Sequence, residues 1–297
     1  MRFQHLTTLS IKNWFCKLKV NMEKSANRLK ILKKIEEYER DGKFDIDVED
    51  DPETYELLPN KVDYTNKKLF SKIKSYFANR IAVSFFEKLI RQKQFIIEEV
   101  TGIENFLSVK GGAIITCNHF NPCDSYAVWR SVREYMGKKR IWRVIREGNY
   151  TNPPKPFGFI MRNCNTLPLS SNFETMKKFY SSLDLLLKRG EKVLIYPEQA
   201  MWWNYRKPRP LKKGAFKFAV TSEVPVIPVF ITMKDSEFFD GEGFPVQKYH
   251  VNFLKPIYID PALSKGENLE KMCKENFDEW KKCYEKFYGT ELAYLTK

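Results

Sequence analysis

The sequence predicts an α/β protein: a layered mixed, largely parallel sheet flanked by helices, with an N-terminal helical extension. Three observations predict it. From Gly111 onward, short apolar runs alternate with stretches of helical spacing, the pattern of a sheet whose strands are joined by helices. At 297 residues the chain can bury a sizeable core as one domain plus extensions. Its 43% hydrophobic and 15% aromatic content fits a packed interior and excludes a disordered chain.

Taken in order, residues 6–20 mix Leu, Ile, Trp14 and Phe15 with lysines, which suits a short interfacial helix or a frayed terminus equally. Residues 26–40 read as a helix, with Leu29, Ile31, Leu32 and Ile35 as its apolar residues. The acidic segment 41–60 carries Glu49-Asp50-Asp51-Pro52-Glu53. It reads as a solvated loop, and folding over a basic face is the sharper alternative. Residues 66–100 read as a long helix or a helix pair. Phe70, Ile73, Phe77, Ile81, Phe85 and Leu89 recur there at spacings of three and four, among Lys67, Lys68, Lys72, Lys74, Arg80, Lys88 and Arg91. Such a stripe packs on a core or lies in a bilayer interface, and the pattern leaves both open. Residues 1–100 are thus the expected N-terminal helical region, and 101–297 the expected α/β domain.

Within that domain the strands are expected at 113–117, 141–145, 166–169, 193–196, 226–232 and 251–254. The helices are expected at 122–136, 172–188, 214–223 and 268–292, with a loop over 148–157. Phe173, Met176, Phe179, Tyr180, Leu183 and Leu187 give the second helix its apolar face, and Gly190 closes it. Pro225 and Pro228 are read as shaping an edge of the sheet.

The chemistry concentrates in Cys117-Asn118-His119-Phe120-Asn121-Pro122-Cys123-Asp124, a tight strand-to-helix turn of the kind where α/β proteins place reactive groups. Of His5, His119 and His250, only His119 lies in such a turn with an acid four intervening residues away. An imidazole accepts a proton near neutral pH, and a carboxylate on its other nitrogen fixes the tautomer and stabilises the imidazolium. The plain alternative is a helix start, with Asn121 as N-cap, Pro122 first and Asp124 third. A zinc site would need a fourth ligand beside Cys117, His119 and Cys123, and no C-x-x-C pair is present, so no metal is assigned. A Cys123 nucleophile paired with His119 is the weaker chemical alternative.

Asn118-His119 followed by Asp124 resembles N-H-x-x-x-x-D, the first motif of the glycerolipid acyltransferases, among them the 1-acylglycerol-3-phosphate acyltransferases. Leu194-Ile195-Tyr196-Pro197-Glu198-Gln199 resembles that family's F-P-E-G block, and Val224-Pro225-Val226-Ile227-Pro228-Val229 its V-P-(V/I)-(V/I)-P-V block. The resemblance covers roughly residues 100–260. It implies acyl transfer from acyl-CoA or acyl-carrier protein to a lysophospholipid hydroxyl, foremost that of 1-acylglycerol-3-phosphate, in phospholipid synthesis. His119 would be the general base, Asp124 its partner, and Asn118 and Glu198 part of the acceptor site. Two departures stand out. Glu198-Gln199-Ala200-Met201 replaces E-G-T-R, and Thr166-Leu167-Pro168-Leu169 runs into Ser170-Ser171 where the second motif ends in arginine. Arg162, Arg206 and Arg209, with Lys207, are the nearby cations that stand in for those arginines. Trp202, Trp203 and Tyr205 suit an acyl channel, a membrane interface or the core.

A formal net charge of +14 favours an anionic partner: nucleic acid, an anionic membrane surface or an acidic carrier protein. No zinc finger, RNP block or compact arginine run supports nucleic acid. Six cysteines without a secretory signal suggest reduced thiols and a cytoplasmic setting. No stretch approaches the roughly 20 apolar residues of a transmembrane helix. The expectation is therefore a peripheral membrane protein that needs no cofactor beyond its thioester substrate.

Overall fold

The computed structural model describes residues 23–49, 53–153 and 156–296. Among them one sheet holds seven strands: β1 (Ile96–Thr101), β2 (Ala113–Cys117), β3 (Ile141–Ile145), β4 (Thr166–Pro168), β5 (Lys192–Ile195), β6 (Val226–Phe239) and β7 (Pro245–Phe253). Their order is β1-β7-β6-β2-β5-β3-β4. Neighbours run parallel except β6 and β7, which are antiparallel. The helices are α1 (Ala26–Arg40), α2 (Leu69–Arg91), α3 (Ile103–Ser108), α4 (Asp124–Val132), α5 (Glu147–Thr151), α6 (Gly158–Asn163), α7 (Phe173–Lys188), α8 (Gly214–Thr221) and α9 (Lys265–Tyr288). The mixed, mostly parallel α/β architecture and the N-terminal helix agree with the sequence reading.

The sheet divides the core in two because successive strand residues face opposite ways. Ala113, Ile115 and Cys117 of β2 pack with Ile227, Val229 and Ile231 and with Ala127 and Val128 of α4. Ile114 faces the other side, with Val193, Ile195, Phe179 and Leu183 of α7 and Phe216 of α8. Every residue of β2 is buried, which explains its unbroken apolar run. Gly112 is required just before it: a Cβ there would lie 2.1 Å from the Leu187 carbonyl oxygen at the end of α7. Asn172 caps α7 by accepting from the Thr175 N–H, and Ser264 with Glu267 forms a capping box on α9.

Several boundaries differ from expectation, each for a local reason. The helical pattern of 66–100 ends at Arg91, and Lys93 turns the chain with a positive φ of 56°. Residues 96–101 then form β1, held beside β7. Residues 148–151 of the expected loop are helical, as part of α5. α4 begins at Asp124, not at Pro122: the Asn121 Oδ1 accepts from the Cys123 N–H in a turn before the helix. The strand expected at 226–232 continues to Phe239 along its antiparallel partner. Pro228 does not sit at an edge, because β6 lies between β2 and β7. It is tolerated between the Val226–Ile257 bridge and the β6–β7 ladder that begins at Val229, where its carbonyl accepts from the Leu254 N–H. The segment 6–20 lies outside the described residues, as do residues 50–52 of the acidic run.

The stripe on α2 splits in three. Leu89 is buried, Phe85 is half-buried and stacks edge-on to Phe157, and Phe70, Ile73, Phe77 and Ile81 are exposed. The face that α2 turns inward over its first half is made of the small residues Ser75, Ala78 and Ala82. From the acidic segment, Val48 is buried beside Trp202, and the Phe44 ring stacks on that indole at 5.9 Å.

Candidate active site

β2 and β5 are adjacent and parallel, with Thr116 opposite Ile195. The chain therefore leaves both strands side by side at their carboxyl ends, where open α/β sheets gather their sites. The turn after β2 carries His119, and the turn after β5 carries Tyr196 and Glu198.

The His119 Nδ1 lies 2.8 Å from Asp124 Oδ2. Asp124, the first residue of α4, is 1% exposed. Burial of a carboxylate is tolerable only when its lone pairs are met. Oδ2 also accepts from the Phe120 and Asn121 N–H groups at 3.3 and 3.4 Å. Oδ1 accepts from the Ser125 N–H and from the Tyr196 hydroxyl. An acceptor-only carboxylate on Nδ1 selects the tautomer with Nδ1–H, which leaves the lone pair on Nε2. The imidazole stacks on Tyr196, with centroids 3.9 Å apart and planes 12° apart. Burial and the Asp124 charge push the Tyr196 hydroxyl well above its ordinary pKa, so it remains a neutral donor.

Behind this pair the turn is clamped. Glu198 Oε2 accepts from the His119 N–H at 3.0 Å and from Arg209 Nη2 at 2.9 Å, and its Oε1 accepts from the Arg209 N–H. Arg209 donates further to the carbonyls of Phe44, His119 and Ala200 and lies over the Trp202 ring. Both side chains of the Glu198–Arg209 pair are almost fully buried, 2% and 1% exposed. The Trp202 N–H donates to the His119 carbonyl and the Asn204 N–H to that of Phe120.

His119 and Asp124 line a cavity of about 1000 Å³. That lies at the upper end of the range of ligand pockets, roughly 300–1,000 Å³. One wall is apolar: Phe85 and Phe86 of α2, Trp129 of α4, and Phe157, Ile160 and Met161 around α6. The lining also includes polar residues, Asp47, Glu49, Gln199 and Asn204 among them.

The remaining residues singled out from the sequence lie elsewhere. Asn118 is buried and joined to Ile231, accepting from its N–H at 2.8 Å and donating to its carbonyl at 3.0 Å. Arg162 donates to the carbonyls of Tyr150 and Thr151, and Arg206 pairs with Asp235 at 2.6 Å. Neither these three nor Glu198 and Arg209 line the cavity. The cations that do are Arg28, Arg143, Arg146 and Lys212. Sequence reasoning passed over Arg143 and Arg146, although two arginines in an apolar strand and just past its end were a visible signal. It also gave Tyr196 no role, although a hydroxyl at the Phe of F-P-E-G was another.

Where the second motif lacks its arginine, Ser170 and Ser171 donate to the Glu147 carboxylate, which also accepts from the Leu57 N–H. Burial acts to raise that carboxyl, and these donors together hold it below its ordinary range. The Cys123 thiol is pushed up to about 12 by burial, chiefly, and by Asp124, so it is no thiolate at neutral pH.

Compared with known protein families, residues 98–232 match the one described as Acyltransferase. The match runs from β1 into β6 and contains His119, Asp124, Tyr196, Glu198 and Arg209.

Proposed function

Residues 98–232 match the Acyltransferase family, and from that match we propose that the protein is an O-acyltransferase moving a fatty acyl group from a thioester to a lysophospholipid hydroxyl at a membrane surface. One observation carries the reading: His119 is held through Nδ1 by a buried carboxylate while it lines a largely apolar-walled cavity of about 1000 Å³.

The chemistry balances with no covalent enzyme intermediate. The acceptor O–H gives its proton to His119 Nε2 as its oxygen attacks the thioester carbonyl. Asp124 stabilises the imidazolium that forms. The C–O ester bond forms, the C–S bond breaks, and the leaving sulfur takes the proton from His119. Acyl-CoA or acyl-carrier protein serves as donor, and the chain's net charge of +14 suits the acidity of either. The apolar wall from α2, α4 and α6 suits the acyl chain. Among acceptors, the family pattern points to 1-acylglycerol-3-phosphate, on the phospholipid-synthesis side of lipid metabolism, but this chain lacks the two arginines of that pattern, which leaves the lysolipid headgroup to be set by other residues. Glu198 and Arg209 support the acceptor site by fixing the turn that carries His119.

Membrane contact is the second half of the proposal. Among the described residues no helix is long and apolar enough to cross a membrane. α2 instead buries small residues and exposes Leu69, Phe70, Ile73, Tyr76, Phe77 and Ile81 beside exposed Lys67, Lys68, Lys72 and Lys74. Large rings facing out among lysines suit an interfacial helix on an anionic, cytoplasmic leaflet.

Replacing the base tests the mechanism. His119→Ala is expected to lower acyl transfer, followed as thiol release from a long-chain acyl-CoA, by about 10²–10⁴-fold. Turnover at the parent rate would remove His119 from the reaction.

A further inference from the structure

We infer that the acceptor carries a single negative charge, as a phosphodiester lysolipid does, in preference to the doubly charged phosphate of a monoester; this rests on the acyl-transfer reading above. The ground is the charge of the cavity, which runs against that of the chain. The whole sequence carries +14, yet three of the four cations on the cavity wall already hold carboxylates. Arg28 pairs with Glu49 at 2.9 Å and Glu242 at 2.6 Å. Arg146 pairs with Asp47 at 2.5 Å, and Lys212 with Asp45 at 2.7 Å. Asp47, Glu49 and Glu242 themselves line the cavity.

Arg143 differs. Its guanidinium donates to the Ser125 hydroxyl at 3.3 Å and to the Cys164 carbonyl, and no carboxylate partners it among the described residues. A guanidinium carries five donors, so these two contacts leave capacity for an anion. Its position is also right. Ser125 follows Asp124, so Arg143 borders the His119–Asp124 pair from β3. In a lysophospholipid the free glycerol hydroxyl is only a few bonds from the phosphate, so the anion subsite must lie near the base.

One uncompensated guanidinium matches one negative charge. A second charge on the phosphate would have to compete for Arg28, Arg146 or Lys212 with the carboxylates that already pair them, and a charge left without a partner in a poorly solvated site is costly. Beyond the phosphodiester, Asp47 and Glu49 would accept from hydroxyl or ammonium donors of the headgroup.

The test compares three acceptors in one mixed-micelle format with the full chain and a long-chain acyl-CoA: lysophosphatidate, lysophosphatidylglycerol and monoacylglycerol. Acylated product is quantified. The expected kcat/KM for lysophosphatidylglycerol exceeds that for each of the others by about tenfold or more, a difference of about 1.4 kcal/mol. Arg143→Met should raise the KM for lysophosphatidylglycerol by about tenfold or more with a smaller effect on kcat. Asp47→Asn, which removes a carboxylate from the cavity wall, should narrow the gap between lysophosphatidate and lysophosphatidylglycerol. Equal or better use of lysophosphatidate or monoacylglycerol by the parent protein would overturn the charge assignment while leaving acyl transfer standing. Absence of product with all three would overturn acyl transfer and the assignment together.

Discussion

Tyr196 shows how much of the site depends on single atoms. Its hydroxyl is one of five donors converging on Asp124, and its ring is the surface on which His119 stacks. A hydrogen bond to a charged group contributes about 1.5–3 kcal/mol. Tyr196→Phe keeps the ring and removes the donor, so kcat should fall by roughly tenfold at unchanged KM. Equal kcat would mean that the remaining donors suffice to hold the carboxylate. Gln199 makes a second residue-scale case. It adopts a positive φ of 66° where the family motif has glycine, and its side chain is exposed on the cavity. That backbone costs a non-glycine residue about 1–2 kcal/mol, and glycine's extra freedom in the unfolded chain offsets roughly 0.5–1 of it. Gln199→Gly should therefore raise stability slightly in denaturant titration; a clear loss would show that the carboxamide makes a compensating contact. The His119–Asp124 pairing was legible in the sequence because it closes within one turn. The position of Asn118 was not, since its partner Ile231 lies 113 residues away.

At the scale of elements, α2 carries the clearest expectation. Its exposed side chains lie outside the core clusters, so replacing them should largely spare the fold and weaken lipid binding. Phe70, Ile73 and Phe77 changed together to Ser should reduce sedimentation with anionic vesicles, with the thermal midpoint nearly unchanged. Binding equal to the parent's would return that face to an ordinary solvated surface. Phe85 is left out of the set, because it sits on the cavity wall rather than on the outer face. Sequence spacing gave the stripe its period but not its phase. Ser and Ala carry little hydrophobic signal, so the buried side of the helix is the quiet one. Strand β1 was hidden for a related reason: Glu98 and Glu99 interrupt its apolar residues and pair with Lys248 and His250 of β7, contacts with no local trace. Strands β2 and β5 were legible because burial on both faces leaves an almost unbroken apolar run.

Over the whole molecule, the segment before the family match is tied into the site. The Phe44 carbonyl accepts from Arg209, whose guanidinium holds Glu198, whose carboxylate holds the His119 N–H. The Ile46 carbonyl accepts from the Trp202 indole N–H at 2.8 Å. Composition pointed to a basic protein and to an acidic stretch, but only the tertiary arrangement reveals where the opposite charges meet. One practical consequence concerns engineering. A shortened version starting at residue 94 would keep the whole matched domain yet uncover an indole and leave a guanidinium short of an acceptor, which costs about 1–3 kcal/mol for each buried group left unmet. Such a version is expected to express as aggregate, or to bind the dye ANS while showing little turnover. Supplying residues 23–93 as a separate peptide, which returns both this brace and α2, should restore part of the activity, and failure of a well-folded shortened protein to need it would show that the catalytic turn stands without its N-terminal brace.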